Sequence, residues 1–286
     1  MVSALLTDLR RRHAALPPPL IVFNKSHSGS RLLARALAGQ GIFMGAAVNE
    51  SLDALPLVGL VEHLVERHYP DFAGLWSAAE PATADLARLV DATFAAHLAT
   101  YDRVAAGPWG WKLCEAGYIL PFLDFLFPDA RFVHLVRDGR DVAFCDHVAP
   151  QKPFWRKIYF NTDRIERWRG RPLDNRAYDR RRHVYNALHW RNSVEVGRAY
   201  GAMLRQRCRE VRYEALCADF QGTMAEVLAF AGVAANPAAI DAVAATVNCR
   251  SIGKHRHQPW LRRRQVQALI GPTLASFGYV DGAAAG

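Results

Sequence analysis

The apolar run Leu20-Ile21-Val22-Phe23 stops abruptly, and the polar turn Asn24-Lys25-Ser26-His27-Ser28-Gly29-Ser30 follows it. Helical spacing then resumes at Leu32-Leu33-Ala34-Arg35-Ala36-Leu37. This pattern predicts a buried strand, a tight loop and a helix start. The loop sets backbone N–H groups, hydroxyls and cations at a helix N-terminus, where the dipole favours an anion. It reads as a phosphate cradle near the start of an α/β sheet, against the plainer reading of an ordinary β–α turn. Gly29 is the only glycine in the loop and no Lys follows it, so neither G-x-x-x-x-G-K-[ST] nor G-x-G-x-x-G is present.

The 286 residues can bury a large core, and half of them are apolar (51%). A single domain over residues 1–286 is expected. The formal net charge, 36 − 27 = +9, suits anionic partners but does not choose among them. Five cysteines (Cys114, Cys145, Cys208, Cys217, Cys249) show no C-x-x-C, zinc spacing or disulfide framework, which predicts a reducing, cytoplasmic setting. The leucines near the N-terminus precede Arg10-Arg11-Arg12, the reverse of a secretory signal. No apolar run approaches the length of a membrane span.

A short amphipathic helix is expected over Ala4–Ala15, and two helices over 50–101 separated by Pro81. Strands are expected at 110–114, 131–136 and 210–213, with helices at about 118–127, from Asp138, at 184–208, 222–232, 237–246 and from Trp260. Strands alternating with helices predict a central parallel β-sheet flanked by helices. Residues 151–182 carry eleven Lys/Arg against four Asp/Glu, with Trp155, Tyr159, Phe160, Trp168 and Tyr178 interleaved; they read as an insertion or lid.

Arg137 follows the strand Arg131–Val136, at the carboxyl edge where open parallel sheets bind ligands, and its fork can take a phosphate. Alternatively, Arg137 and Arg140 pair with Asp138 and Asp141 on a solvated helix start. Four segments resemble sulfotransferases of the bacterial type, in family order. Ser28-Gly29-Ser30-Arg31-Leu32-Leu33 resembles the 5′-phosphosulfate loop, with His27 at the usual Lys/Arg position. Arg137-Asp138-Gly139-Arg140-Asp141-Val142-Ala143 resembles the 3′-phosphate segment, with Gly139 in place of Pro, at a cost in rigidity only, and Cys145 in place of Ser. Val211-Arg212-Tyr213-Glu214-Ala215-Leu216 resembles the segment whose Tyr lies by the adenine. Ser251-Ile252-Gly253-Lys254-His255-Arg256 resembles the Gly-and-basic loop that closes on the 3′-phosphate.

The resemblance implies a P-loop-like fold and transfer of a sulfuryl group from 3′-phosphoadenosine 5′-phosphosulfate (PAPS) to a hydroxyl or amine of a small-molecule, glycan or lipid acceptor. It implies nucleotide contacts at Ser26, Ser28, Gly29, Ser30, Arg31, Arg137, Cys145, Tyr213, Gly253, Lys254 and Arg256. His27 or Lys25 would be the cation beside the bridging oxygen; Lys112 would orient the sulfuryl group or, equally, be a snorkelling strand-end lysine. The K-x-H base of some branches fails here, because Cys114 stands in the His place of Lys112-Leu113-Cys114; other branches use a Glu some twenty residues past the loop, where Asn49-Glu50-Ser51-Leu52-Asp53 sits. Glu50 is the expected base, with Asp53 second; the plainer role for Glu50 is helix capping. No metal is expected, since His255-x-His257 lacks a third ligand. The competing classes are a kinase-like nucleotide-binding protein and a non-catalytic nucleotide- or nucleic-acid-binding protein; no nucleic-acid motif is present.

Overall fold

The computed structural model describes residues 4–76, 83–102, 104–147, 150–160 and 175–279. Four strands form the sheet: β1 (Leu20–Asn24), β2 (Gly110–Lys112), β3 (Arg131–Val136) and β4 (Cys208–Arg212), in the order β2-β1-β3-β4. β1 pairs in parallel with both neighbours, Val22 lying opposite Lys112 on β2 and Val133 on β3. All five residues of β1 are buried, as a central parallel strand covered on both faces requires.

Thirteen helices are described: α1 (Ala4–His13), α2 (Ser30–Gly39), α3 (Leu55–His68), α4 (Thr83–His97), α5 (Leu120–Leu126), α6 (Gly139–Ala143), α7 (Pro153–Phe160), α8 (Asn175–Arg180), α9 (Arg182–Leu204), α10 (Tyr213–Ala218), α11 (Phe220–Ala231), α12 (Pro237–Ala244) and α13 (Trp260–Ser276). The chain divides into two compact units, one of residues 1–135 and 197–247, the other of 136–196 and 248–286.

In the first unit α2 turns Leu33, Ala34 and Leu37 onto Val22, Val133 and Leu135, while Arg31 and Arg35 stay exposed. This stripe is what the Leu/Ala spacing predicts. An aromatic cluster of Phe94, Trp109, Trp111 and Phe127 forms edge-to-face and tilted pairs with centroids 5.1–6.4 Å apart. The second unit has its own core, in which Val142, Trp190, Val194, Ile270 and Leu274 meet.

All four expected strands are present. Two local readings shift. Residues 49–53 form a turn rather than a helix start, and α3 begins only at Leu55, with Pro56 in its first turn. The basic aromatic segment lies in part outside the described residues (161–174). Its described ends are α7 and α8, which bury Trp155, Tyr159, Phe160 and Tyr178.

Candidate active site

β1 ends on Asn24, and the chain turns through Lys25–Gly29 into α2. Two residues of this turn take left-handed backbone: His27 at φ 68° and Gly29 at φ 87°. Gly29 is also the N-cap of α2, and it supplies no side-chain cap to the helix. The Gly29 position excludes any larger residue, because a Cβ there would lie 2.2 Å from the Tyr213 ring. Tyr213, the first residue of α10, is thus packed directly on the loop glycine. The structure brings together these two residues, which the sequence places far apart.

Lys25 is buried to 1% exposure, and its ammonium donates to Ser26 Oγ at 2.6 Å. His27, by contrast, is exposed. Ser28 is also buried to 1%, yet its Oγ has no hydrogen-bond partner among the described residues. Asn24 donates to the Lys25 carbonyl at 2.6 Å, and its own Oδ1 is buried without a partner. A buried polar atom left unsatisfied is costly, so two of them beside an uncapped helix N-terminus mark a place for an outside group. Arg31 points from the first turn of α2 toward Ser51 Oγ, 3.4 Å away.

At the end of β2, Lys112 is buried to 1% and forms an ion pair of 2.6 Å with Asp53 Oδ1. Asp53 is held there by the preceding turn: Asn49 Oδ1 accepts from the Ser51 and Asp53 N–H groups, each at 2.9 Å. The Ala54 N–H then donates to the Lys112 carbonyl, which clips the turn to the strand end. The Cys114 thiol lies 3.7 Å from Asp53 Oδ1. Burial, with help from Glu115 and Asp53, pushes this thiol well above its ordinary range, so it stays protonated and donates. Asp53 is therefore engaged with both groups. Glu50 is exposed at the tip of the same turn, with no bond to its carboxylate among the described residues.

In the second unit, Asp138 caps α6 as the sequence predicts, accepting from the Arg140 N–H at 2.8 Å. Arg140 pairs with Asp138 at 2.7 Å. Arg137 is 5% exposed and donates to Ser251 O (2.6 Å) and Ser251 Oγ (3.0 Å), with Asp141 at 3.7 Å. The ion-paired alternative for this segment is thus realised for Arg140 with Asp138 and, more loosely, for Arg137 with Asp141, while Arg137 also holds Ser251. Lys254 Nζ lies 2.9 Å from Cys145 Sγ, so an ammonium stands beside the thiol that replaces the usual serine. Gly253 and Arg256 lie on the same turn, Gly253 at φ 75°.

One expectation is corrected here. Gly139 is not merely a looser substitute for proline. A Cβ at this position would fall 2.4 Å from the Trp190 ring, whose indole N–H donates to the Arg137 carbonyl at 2.9 Å. The tryptophan and the glycine fit as a pair. The sequence carried no signal for this contact, nor for the role of Ser251.

Asp141, expected only within the motif and as an ion-pair partner on the helix start, anchors the 251–257 segment. It accepts from Gly253 N (2.8 Å), His255 N (3.1 Å) and His255 Nδ1 (2.7 Å). Burial alone would raise its pKa, but these bonds outweigh that and hold the carboxyl below its ordinary 3.8. A depressed carboxyl contributes stability that is fully present above its unfolded value and is lost as pH falls through the folded value. The Gly253 and His255 amides are therefore expected to keep their hydrogen-exchange protection down to pH 3.8 and to lose it below that. Protection that is flat through this range would show that Asp141 does not hold the segment.

Cys114, Cys145 and Cys208 are free thiols, whereas Cys217 and Cys249 are each disulfide-bonded. Cysteine spacing gave no sign of this, and the expectation of five reduced thiols is corrected. Among the described residues no helix is long and apolar enough to cross a membrane, and no three His, Cys, Asp or Glu cluster as metal ligands.

Residues 19–237 match the model of the "Sulfotransferase family". The fold is similar to that of the sulfotransferase domain from the Synechococcus PCC 7002 olefin synthase, with a TM-score of 0.50 and 19% identity over 93% of this chain and 96% of that one. The sulfotransferase domain from the curacin biosynthetic pathway aligns with a TM-score of 0.49 and 15% identity over 90% and 98% of the two chains. The sulfotransferase from Alicyclobacillus acidocaldarius aligns at 0.47 and 16%, over 94% and 98%. No match is found among curated proteins.

Proposed function

The chain belongs to the sulfotransferase family, and from that premise we propose that it transfers a sulfuryl group from PAPS to the hydroxyl or amine of an acceptor. The observation that carries the donor assignment is the buried, unpartnered Ser28 hydroxyl beside the uncapped N-terminus of α2. These groups fit a phosphosulfate: the Ser28 N–H already donates to the Lys25 carbonyl, and the N–H groups of Gly29–Arg31 with the Ser28 hydroxyl are the donors turned to an anion. When bound, PAPS supplies the sulfuryl group.

This chain's residues then do the following. Lys25, buried next to the loop serines, places a fixed positive charge at the cradle. His27 is exposed on strained backbone and is the weaker candidate for that charge. Single-turnover rates separate the two: a larger loss in His27→Ala than in Lys25→Met reverses the assignment. Lys112, held by Asp53, presents a second buried cation at the end of β2. Glu50 removes the acceptor proton. Arg137, Lys254 and the backbone around Gly253 take the 3′-phosphate, Cys145 lining that place with Lys254 as the stronger donor. Tyr213 completes the nucleotide contacts, whereas Arg256 lines a pocket with Arg140 and Phe144.

Calorimetry with adenosine 3′,5′-bisphosphate, the product nucleotide, tests the donor assignment. Arg137→Ala is expected to weaken binding by about 2 kcal/mol or more, roughly thirtyfold, through loss of a charge-assisted bond. Unchanged affinity in that variant rules out the 3′-phosphate role.

A further inference from the structure

We propose that the second unit carries a separate binding pocket for an organic oxyanion, a phosphate or sulfate ester on a flat ring. The pocket measures about 510 Å³ and is walled by Arg140, Phe144, Arg256, Trp260, Arg263 and Arg264. That volume suits a small organic ligand.

The wall is one-signed: among the described residues no carboxylate lines it. Arg140 is paired with Asp138, and His255 at the pocket edge is hydrogen-bonded to Asp141. Arg256, Arg263 and Arg264 form no ion pair among the described residues. The three arginines line one pocket with no ion-paired carboxylate among the described residues, and an oxyanion with several acceptor oxygens can take forked hydrogen bonds from them. The rest of the wall is aromatic. Phe144 is half-buried, and Trp260 is 56% exposed with Arg264 stacked on its ring at 4.9 Å. An exposed indole in a cationic pocket offers a face to a flat ring as well as to a cation. A bare inorganic ion would leave this aromatic surface unused.

The pocket is distinct from the Arg137 site. Asp141 and Cys145 share one side of α6 and its continuation, where they hold His255, Gly253 and Lys254. Arg140 and Phe144 each lie one residue earlier, about 100° around the helix. The proposal does not depend on the sulfotransferase reading.

The probe is 4-nitrophenyl sulfate, titrated calorimetrically into the full chain, with inorganic sulfate (no ring) and 4-nitrophenol (no anion) as controls. The ester is expected to bind at least about tenfold more tightly than either control, since it alone satisfies both wall types. Arg263→Gln/Arg264→Gln is expected to weaken ester binding by about tenfold or more and to leave adenosine 3′,5′-bisphosphate binding unchanged. Both arginines are exposed, so folding should survive. Trp260→Ala is expected to reduce the ester to the level of inorganic sulfate. The proposal is overturned if none of the probes binds, or if the ester binds no better than sulfate. It is also overturned if ester binding is undiminished in the arginine variant or is displaced by the nucleotide. Binding seen only to phosphatidylglycerol vesicles would make this face a membrane surface and would overturn it as well.

Discussion

Glu50→Gln is expected to bind adenosine 3′,5′-bisphosphate as tightly as the wild type while turnover on an acceptor falls by about 10²–10⁴, the usual worth of a positioned base. Three features of the 49–53 turn support this. The turn is fixed, since Asn49 Oδ1 takes two of its N–H groups and Ala54 clips it to Lys112. Its other carboxylate, Asp53, is already engaged by the Lys112 ammonium at 2.6 Å. The Cys114 thiol, in the place of the family's histidine, is held protonated by burial. Glu50 is the carboxylate of this turn left open to an acceptor. Because it is exposed, the amide should leave the melting temperature unchanged, so a rate loss reports chemistry rather than misfolding. Near-normal turnover in Glu50→Gln would remove it from the mechanism and move attention to Asp53.

The strands were legible because β-branched and aromatic runs such as Leu20–Phe23 and Phe132–Val136 are buried on both faces, and such runs announce themselves without alternation. The loop and Arg137 were legible for a related reason: polar residues that interrupt a strand at its carboxyl end have few other reasons to be there. What stayed hidden depends on chain segments meeting. Lys112 and Asp53 are 59 positions apart, and Asp141 and His255 are 114 apart, so no local period relates them. The need for Gly139 was misread for the same reason, since it lies in Trp190 and not in the turn. The 49–53 turn was misassigned because Leu52 and its neighbours carry a helix-compatible pattern. The Asn49 side chain offers the backbone a competing set of bonds there, and Leu52 ends at φ 62°.

Asp53→Asn is expected to destabilise the fold by about 3–5 kcal/mol, the usual cost of removing one partner of a buried ion pair. Lys112 is 1% exposed and Asp53 16%, so the ammonium cannot recover its hydration once the carboxylate is gone. The cost is charge left behind rather than attraction lost, and that makes the prediction directional. Lys112→Met added to Asp53→Asn removes the stranded charge and should restore much of the stability, a coupling that a double-mutant cycle reads by chemical denaturation. The pair also bears on function. Lys25 and Lys112 are both buried in this unit, and Asp53 pairs with Lys112. A sulfuryl donor would bring further negative charge to these cations, and removing Asp53 increases the demand for it. Sulfate added to the medium should therefore stabilise Asp53→Asn more than the wild type, since an anion binds the native state of the variant more strongly. Equal stabilisation of both proteins, or a loss under about 0.5 kcal/mol in Asp53→Asn, would show that Lys112 is not a stranded buried cation, and its place in the sulfuryl site would fall with it.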